Sequence, residues 1–250
     1  MKNICLFLFY LTRFAFATQS DNEHALSASG GIASPSFSSA AFQNSAGLVY
    51  NSTKKFELHA GTNSSLGNPR VLPGLIFGNG DFAMAAGLAY VFQSKATAIY
   101  YGGALALGGR KLSLGVNGFN FISPQTGATL DAGLMFDPFD KSHFGINVVG
   151  ITSGIREIGF GLETPFSGST QFVADATVDK SIKNFAIQPG IKAGDPLTAI
   201  TLSYGFGGAV SRQLTDGFAA GLHLTPGQSV SWEIYYRQLG YYFTSLSFAL

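Results

Sequence analysis

Residues 231–237 read Ser-Trp-Glu-Ile-Tyr-Tyr-Arg, and the alternation in this stretch decides the fold. One face carries Trp232, Ile234 and Tyr236, and the other carries Ser231, Glu233, Tyr235 and Arg237. A repeat of two residues is typical of a β-strand, because successive side chains of a strand point to opposite sides. The stretch therefore predicts a strand with one apolar face and one polar face.

The chain ends on a second alternating stretch, residues 241–250, which is rich in aromatic and apolar side chains. A soluble protein rarely leaves such a strand at an edge, since its unpaired backbone groups would template aggregation. In a closed barrel the last strand pairs with the first. The ending therefore predicts an up-and-down antiparallel β-barrel, with a C-terminal strand that the barrel-assembly machinery would recognise.

Composition favours a membrane setting for this barrel. Charged residues make up 12% of the chain, against about 25% in average proteins, and 32 of the 250 residues are glycine. Mean hydropathy is +0.23, yet beyond the N-terminus no apolar run reaches the roughly 18 residues of a spanning helix. Only helices and closed barrels pair all their backbone hydrogen-bonding groups within hydrocarbon. Since no spanning helix is predicted, the composition predicts a transmembrane β-barrel. The net charge of +1 disfavours nucleic-acid binding.

Residues 1–17 predict a signal peptide, with Lys2, an apolar run over 4–11 and small residues before Thr18. A first core strand or helix is the alternative interpretation. The only cysteine, Cys5, would leave with the signal peptide, so the mature chain would contain no disulfide. Export predicts a location in the outer membrane of a bacterial cell.

Residues 18–54 alternate poorly and are rich in Ser, Ala and Gly. Residues 38–48 predict a short helix that ends at Gly47. The segment is interpreted either as a loosely ordered N-terminus or as a plug in the mouth of the barrel.

Residues 55–250 carry thirteen turn signals, which separate about fourteen strands, although twelve remain possible. The predicted turns are 63–69, 79–81, 94–95, 108–111, 123–126, 137–142, 153–154, 165–168, 179–184, 194–196, 208–215, 226–228 and 238–240. The region provides about 14 residues for each strand with its turn, and a tilted membrane strand needs about 9 to 11. In the stretch 200–207, Ile, Leu, Tyr and Phe alternate with Thr, Ser and Gly. This pattern predicts an apolar face toward lipid and a small, weakly polar face toward the lumen.

The sequence shows no signature of catalysis, of a metal site or of a cofactor site. The four histidines are dispersed, and no nucleophile elbow, phosphate loop or dinucleotide fingerprint is present, so we expect no enzyme activity, metal or cofactor. An outer-membrane hydrolase without a motif remains an alternative.

Charged residues inside strands should face the lumen or the rim, because a charge in lipid is costly. They are Glu57, Asp131, Arg156, Glu157, Glu163, Asp175, Lys192, Glu233 and Arg237. They are interpreted either as ion pairs that hold the barrel shape or as the polar lining of a permeation path. Glu57 and His59 share a face of the first strand, and Glu233 and Arg237 share one of the thirteenth. Because both strands neighbour the fourteenth, these four side chains are the polar lumen candidates.

Residues 41–50, Ala-Phe-Gln-Asn-Ser-Ala-Gly-Leu-Val-Tyr, resemble the Asn-Pro-Ala-Gly-Leu stretch that follows the signal peptide in the FadL family. This family comprises outer-membrane transporters for long-chain fatty acids and other hydrophobic compounds. The hairpin rhythm of 129–138 and 144–150 is also similar to that of FadL-like barrels. Asn44, Ala46, Gly47 and Leu48 match the motif, whereas Ser45 replaces its proline.

The resemblance implies a lumen plugged by the N-terminal segment, with a hydrophobic ligand that passes through an apolar pocket and an opening in the wall. Candidate pocket residues on the plug are Phe37, Phe42 and Leu48. No predicted turn exceeds about eight residues, so the long extracellular excursions with which the family captures ligand are not expected.

Three functions follow from these observations, in a setting where outer-membrane lipid surrounds the barrel. The first is passive transport of small hydrophobic compounds. The second is a structural or secretion-accessory barrel with a closed lumen that binds a protein partner, which the sequence does not name. The third, a general diffusion porin, is disfavoured because its lumen should carry more charge. A soluble β-protein remains the alternative to all three.

Overall fold

The computed structural model describes the ranges 32–33, 44–50, 54–62, 69–92, 95–108, 111–123, 127–183, 185–195, 197–207, 217–227, 229–237 and 241–250. The predicted signal peptide, Phe37 and Phe42 lie outside these residues. The boundaries at 17 and 54 therefore stay predictions.

Fourteen strands form one closed barrel in which every pairing is antiparallel. They are β1 (Lys55–Thr62), β2 (Arg70–Gly78), β3 (Phe82–Val91), β4 (Ala96–Leu107), β5 (Leu112–Ser123), β6 (Gly127–Phe139), β7 (Ser142–Val149), β8 (Glu157–Ser167), β9 (Thr170–Asp179), β10 (Phe185–Gly194), β11 (Thr198–Gly207), β12 (Gly217–Gly227), β13 (Val230–Arg237) and β14 (Tyr241–Ala249). Strand β14 pairs with β13 on one side and with β1 on the other. The up-and-down barrel of fourteen strands is confirmed.

The connections differ in length between the two ends of the barrel. At the end where β1 begins and β14 finishes, two to four residues separate successive strands, and we call this the short-turn end. At the opposite end, the long-loop end, the connections contain three to nine residues. Short turns on one side and longer loops on the other are typical of outer-membrane barrels.

The two faces of the wall have the predicted chemistry. Ile200, Leu202, Tyr204 and Phe206 are 48–58% exposed, while the residues between them, Thr201, Ser203 and Gly205, are buried. The same alternation holds along β13, where Trp232 is exposed and Ser231, Glu233 and Tyr235 are buried. Because the apolar side chains point outward and the polar ones inward, the wall has the polarity of a transmembrane barrel.

Three strands continue past the predicted start of their turn, and each is irregular there. Asp137 lies in β6, Pro165 in β8 and Pro226 in β12, and the pairing register shifts next to each of them. A β-bulge tolerates an extra or N–H-deficient residue within a ladder, which explains why these polar and proline residues do not end their strands.

The described residues contain little helical structure. Among them, two short 3₁₀ helices, Ser45–Tyr50 and Ile151–Ser153, lie outside the strands. In the described part of the chain, no helix is both long enough and apolar enough to span a membrane. Gly150, which precedes the second helix, has a positive φ of 81°, and its amide donates a 2.7 Å hydrogen bond to Oδ1 of Asp131 on β6. A side chain would strain this turn.

Candidate functional site

The residues Asn44–Tyr50, which we call the inner segment, lie inside the barrel with Asn44 to Val49 fully buried. Asn44 organises the segment: its Nδ2 donates to the carbonyls of Ile32 (2.8 Å) and Leu134 (3.2 Å), and its Oδ1 accepts from the amide of Ala46 (3.3 Å). The 3₁₀ helix starts directly after Asn44, as expected of a capping residue. The expectation that Gly47 ends a helix is wrong, since Gly47 lies within it.

Glycines on the inner wall make room for this segment. We call Gly115, Gly133, Gly145 and Gly161, which lie on β5 to β8, the glycine furrow. Gly115 is directly opposite Gly133, and Gly145 is directly opposite Gly161. A Cβ on Gly115 would overlap backbone atoms of Ala46, and one on Gly145 would overlap the carbonyl of Ile32. The backbone of the N-terminal region thus lies against positions of the inner wall that carry no side chain.

The far end of the inner segment is fixed by hydrogen bonds near the short-turn end. The Tyr50 hydroxyl is 2.7 Å from both carboxylate oxygens of Asp137, and Nδ1 of His143 is 2.7 Å from Oδ1 of the same carboxylate. The Tyr50 ring meets the His143 ring edge-on, with 5.4 Å between centroids. In the middle of the segment, the Ser113 hydroxyl donates to the carbonyl of Ala46 (3.0 Å).

The inner segment also completes an apolar cluster inside the barrel. Leu48 and Val49 belong to a cluster with inward side chains of β2 to β5, among them Leu72, Tyr100 and Phe119, and of β12 to β14, namely Ala219, Tyr235 and Phe243. The Tyr100 and Phe119 rings are 6.3 Å apart, and Leu48 lies over Gly102. Of the predicted plug residues, Asn44, Ala46, Gly47 and Leu48 are therefore placed inside the barrel, where Leu48 contributes apolar surface.

The polar candidates lie together on β1 and β13, next to the apolar cluster. Nε2 of His59 is 3.0 Å from Oε2 of Glu57, and both side chains are almost completely buried. Glu233 is bonded to His223, with 3.1 Å between Oε1 and Nδ1. The Arg237 side chain lies outside the described part of the structure, so its predicted proximity to Glu233 stays a prediction.

His223 is a member of this cluster that sequence reasoning missed. The predicted turn at 226–228 is centred on residue 227 and would pair His223 with Ser231, whereas the structure pairs His223 with Glu233 and has a register shift between Leu224 and Gly227. The sequence therefore places His223 and Glu233 on the same face but not opposite one another. The Thr225 hydroxyl, 2.9 Å from Nε2 of His223, holds the other side of the ring.

Most of the other charged strand residues also face the interior. Asp131, Glu163 and Asp175 are buried, and Nζ of Lys192 lies 3.1 Å from Oε1 of Glu163. Arg156 is a partial exception, because it precedes the first residue of β8. Among the described residues, no group of three His, Cys, Asp or Glu side chains is arranged to hold a metal ion.

Two prolines interrupt the barrel wall. Pro73 and Pro189 are each followed by glycine, and in both strands the proline and the residue before it lack pairs on the next strand, although the register continues unchanged beyond them. Proline has no N–H to donate to the ladder, which explains both gaps. The Tyr100 ring covers the β2–β3 gap from inside, where it lies against Gly74 and Gly87.

The gap between β10 and β11 is covered differently. Inside the barrel, Nε2 of Gln188 donates to the Ser203 hydroxyl (2.7 Å) across it. Outside, an apolar groove of about 390 Å³ runs along the wall, lined by residues that include Phe172, Pro189, Leu202 and Tyr204, and Ser203 reaches its floor. The wall is therefore thin at this point. The sequence predicts an opening in the wall only through the family resemblance.

The fold is similar to those of solved outer-membrane channels. A FadL homologue of Pseudomonas aeruginosa aligns with a TM-score of 0.57 and 9% identity over 88% of this chain and 96% of that chain. A monoaromatic hydrocarbon channel, CymD, aligns with a TM-score of 0.57 and 10% identity over 88% and 94% of the two chains. The toluene transporter TodX of P. putida aligns with a TM-score of 0.55 and 9% identity over 85% and 94%.

At the level of sequence the comparisons give no relative. No family model matches the chain, and no curated protein sequence is similar to it. Identities near 10% show the fold alone. The predicted resemblance to FadL-type β-barrels is thus confirmed as a resemblance in fold.

Proposed function

We propose that this protein is a passive channel for small hydrophobic compounds in the outer membrane of a bacterium. The observation that carries the proposal is the apolar cluster that the inner segment forms with Leu72, Tyr100 and Phe119 inside the barrel. A water-filled diffusion pore would line its lumen with charged and polar groups instead. The fold shared with the monoaromatic hydrocarbon channel and the toluene transporter supports the same class of solute.

The orientation of the barrel follows from its connections. Short turns face the periplasm in outer-membrane barrels, so the short-turn end, with the inner segment and its Tyr50 anchor, belongs on the periplasmic side. A compound would enter at the long-loop end and meet the apolar cluster. Displacement of the inner segment from the glycine furrow would then open the lumen.

The β10–β11 gap offers a second way out of the lumen. The hydrogen bond between Gln188 and Ser203 spans the gap on the inside, and the groove outside it is apolar. A hydrophobic compound would pass from the lumen into the lipid without crossing water. This route suits a solute that partitions into hydrocarbon.

A disulfide that reversibly holds the inner segment in place tests whether displacement of the segment opens the lumen. We suggest the pair Ala46→Cys and Ser113→Cys, because the Ser113 hydroxyl lies 3.0 Å from the Ala46 carbonyl and the only native cysteine is Cys5. In proteoliposomes whose outer leaflet is lipopolysaccharide, which slows the entry of hydrophobic compounds, we expect toluene to enter faster than in empty liposomes of the same composition, and glucose entry to stay at the empty-liposome rate. Oxidation should slow toluene entry, and reduction should restore it.

The controls separate gating from transport. Each single-cysteine variant should respond to neither treatment. Toluene entry that persists after oxidation would contradict gating by the inner segment, whereas toluene entry equal to that of empty liposomes under all conditions would contradict transport itself. The second result would favour the structural barrel with a closed lumen, a function for which the complete burial of Asn44 to Val49 is the supporting observation.

A further inference from the structure

Two rows of side chains run next to each other across the inner wall of β1, β14, β13 and β12. The first, which we call the polar row, consists of His59, Ser245, Glu233 and His223, each opposite the next in the strand register. The second, the aromatic row, lies two residues further along each strand and consists of Gly61, Phe243, Tyr235 and Gly221. Two residues of a strand span about 7 Å, which is close to the length of a substituted benzene.

The polar row has unfilled hydrogen-bonding positions. Oε1 of Glu57, Oε2 of Glu233 and Oγ of Ser245 have no hydrogen-bond partner among the described residues, and the three side chains belong to residues that are only 1–2% exposed. Glu57 lies on the lumen face of β1 next to this row, two residues before His59. A buried acceptor without a donor costs free energy, so a bound molecule that donates hydrogen bonds would be stabilised here.

The aromatic row is apolar, and its rings belong to the cluster that contains Leu48 and Val49, with Phe243 6% and Tyr235 4% exposed. The Phe243 ring stacks on the His59 ring with 5.7 Å between centroids, and the Tyr235 ring follows at 6.2 Å. A Cβ on Gly61 or Gly221 would come within 3.0 Å of these rings, which shows that the rings lean over the two glycines. Stacked and offset rings at such distances recognise a further aromatic ring.

We propose that this site binds a small aromatic molecule that carries a hydrogen-bond-donating head, an amine or a hydroxyl group. The ring would lie on Phe243 and Tyr235, and the head would donate to Glu57, Glu233 and Ser245. The inference rests on the proposed function, and it narrows the class of solute. We expect a carboxylate head to bind more weakly at this site, because it would add an acceptor and a negative charge beside two glutamates, although Arg70 is paired with Gly61 in the strand register.

Lys55 does not change the choice of head group. It interacts electrostatically with both Glu57 and Glu233 and balances part of their charge. On Glu57, Glu233 and Ser245 the unfilled positions nevertheless stay two carboxylate oxygens and one hydroxyl, and these three positions call for a donor whatever the net charge of the cluster.

Four probes with one ring and different heads test the proposal. They are benzylamine, benzyl alcohol, toluene and benzoate, measured by equilibrium dialysis against the full chain in detergent and by entry into proteoliposomes. We expect benzylamine and benzyl alcohol to bind at least about tenfold more tightly than toluene or benzoate, which corresponds to about 1.4 kcal/mol. The double variant Glu57→Gln with Glu233→Gln should weaken benzylamine binding about tenfold and leave toluene binding unchanged.

Glu163→Gln is the matched control, because Glu163 is another buried glutamate of the inner wall, on β8, far from both rows. It should leave the binding of all four probes unchanged. If the double variant fails to fold, Ser245→Ala replaces it, since this change removes one hydroxyl and no charge. Its expected effect is a severalfold loss of benzylamine binding.

The outcomes distinguish this inference from the proposed function. Two results would overturn the inference: equal binding of all four probes, or benzylamine binding that these variants do not weaken. The polar cluster would then be structural and filled by water, and the proposed transport of toluene would be unaffected. Toluene that neither binds nor enters would overturn the proposed function instead. Preferred binding of benzylamine that these variants abolish supports both.

Discussion

Single glycines decide whether the inner segment can occupy the lumen. Gly115→Ala places a Cβ where the backbone of Ser45 and Ala46 now lies, and backbone cannot move aside as a flexible side chain can. We expect this variant to displace the inner segment or to lose about 1–3 kcal/mol of stability, the usual cost of overpacking. Protease cleavage within residues 44–50 and glucose leakage from proteoliposomes would measure the displacement. Gly127→Ala is the control, since nothing lies within 4 Å of its Cβ position. Equal protease cleavage and glucose leakage for the two variants would contradict the position of the inner segment against Gly115.

A single hydroxyl anchors the other end of the segment. Tyr50→Phe removes the hydroxyl that lies 2.7 Å from both carboxylate oxygens of Asp137 and donates its hydrogen bond to them, and it keeps the ring, so we expect a loss of about 1–2 kcal/mol in the free energy of unfolding. Guanidinium titration in phospholipid vesicles measures this difference. The lipid-facing Tyr204→Phe should change stability far less. An unchanged midpoint for Tyr50→Phe would show that Asp137 does not hold the segment.

At the scale of strands, the two proline gaps differ in what covers them. Pro189→Val restores an N–H toward β11, so the amide of residue 189 should become protected and toluene entry should fall severalfold if solute leaves through this gap. Pro73→Val makes the same repair between β2 and β3, where Tyr100 already covers the gap, and should leave toluene entry unchanged. Hydrogen exchange and proteoliposome entry report the two effects. Unchanged entry with Pro189→Val would place the exit elsewhere.

The elements that sequence reasoning predicted are those that depend on neighbouring residues. Alternation along β13 and β11 and turns such as 79–81 are local patterns, and the structure has them as expected. That His223 and Glu233 lie on the same face of one hairpin was predictable from the alternation. The contact of Tyr50 with Asp137 was not, since residues 87 apart in the chain meet only through the closed barrel. The glycine furrow could not be predicted for the same reason.

At the scale of the whole molecule, the prediction of a membrane setting depends on whether lipid or water surrounds the outward face. Val116 is 49% exposed in the middle of β5, and Phe139 is 76% exposed at the end of β6. In a bilayer, Val116→Arg should cost about 2–4 kcal/mol and Phe139→Arg about 0–1 kcal/mol, because the penalty for a charge falls from the midplane to the interface.

Guanidinium titration of both variants in phospholipid vesicles measures this difference. In water an arginine at an exposed position changes stability by only about 0.5 kcal/mol, so the two variants would behave alike. Equal stabilities, together with folding in plain buffer, would mean that the outward apolar face meets water. The dependence on depth therefore tests the membrane setting, on which transport, the lateral exit and the solute class all rest.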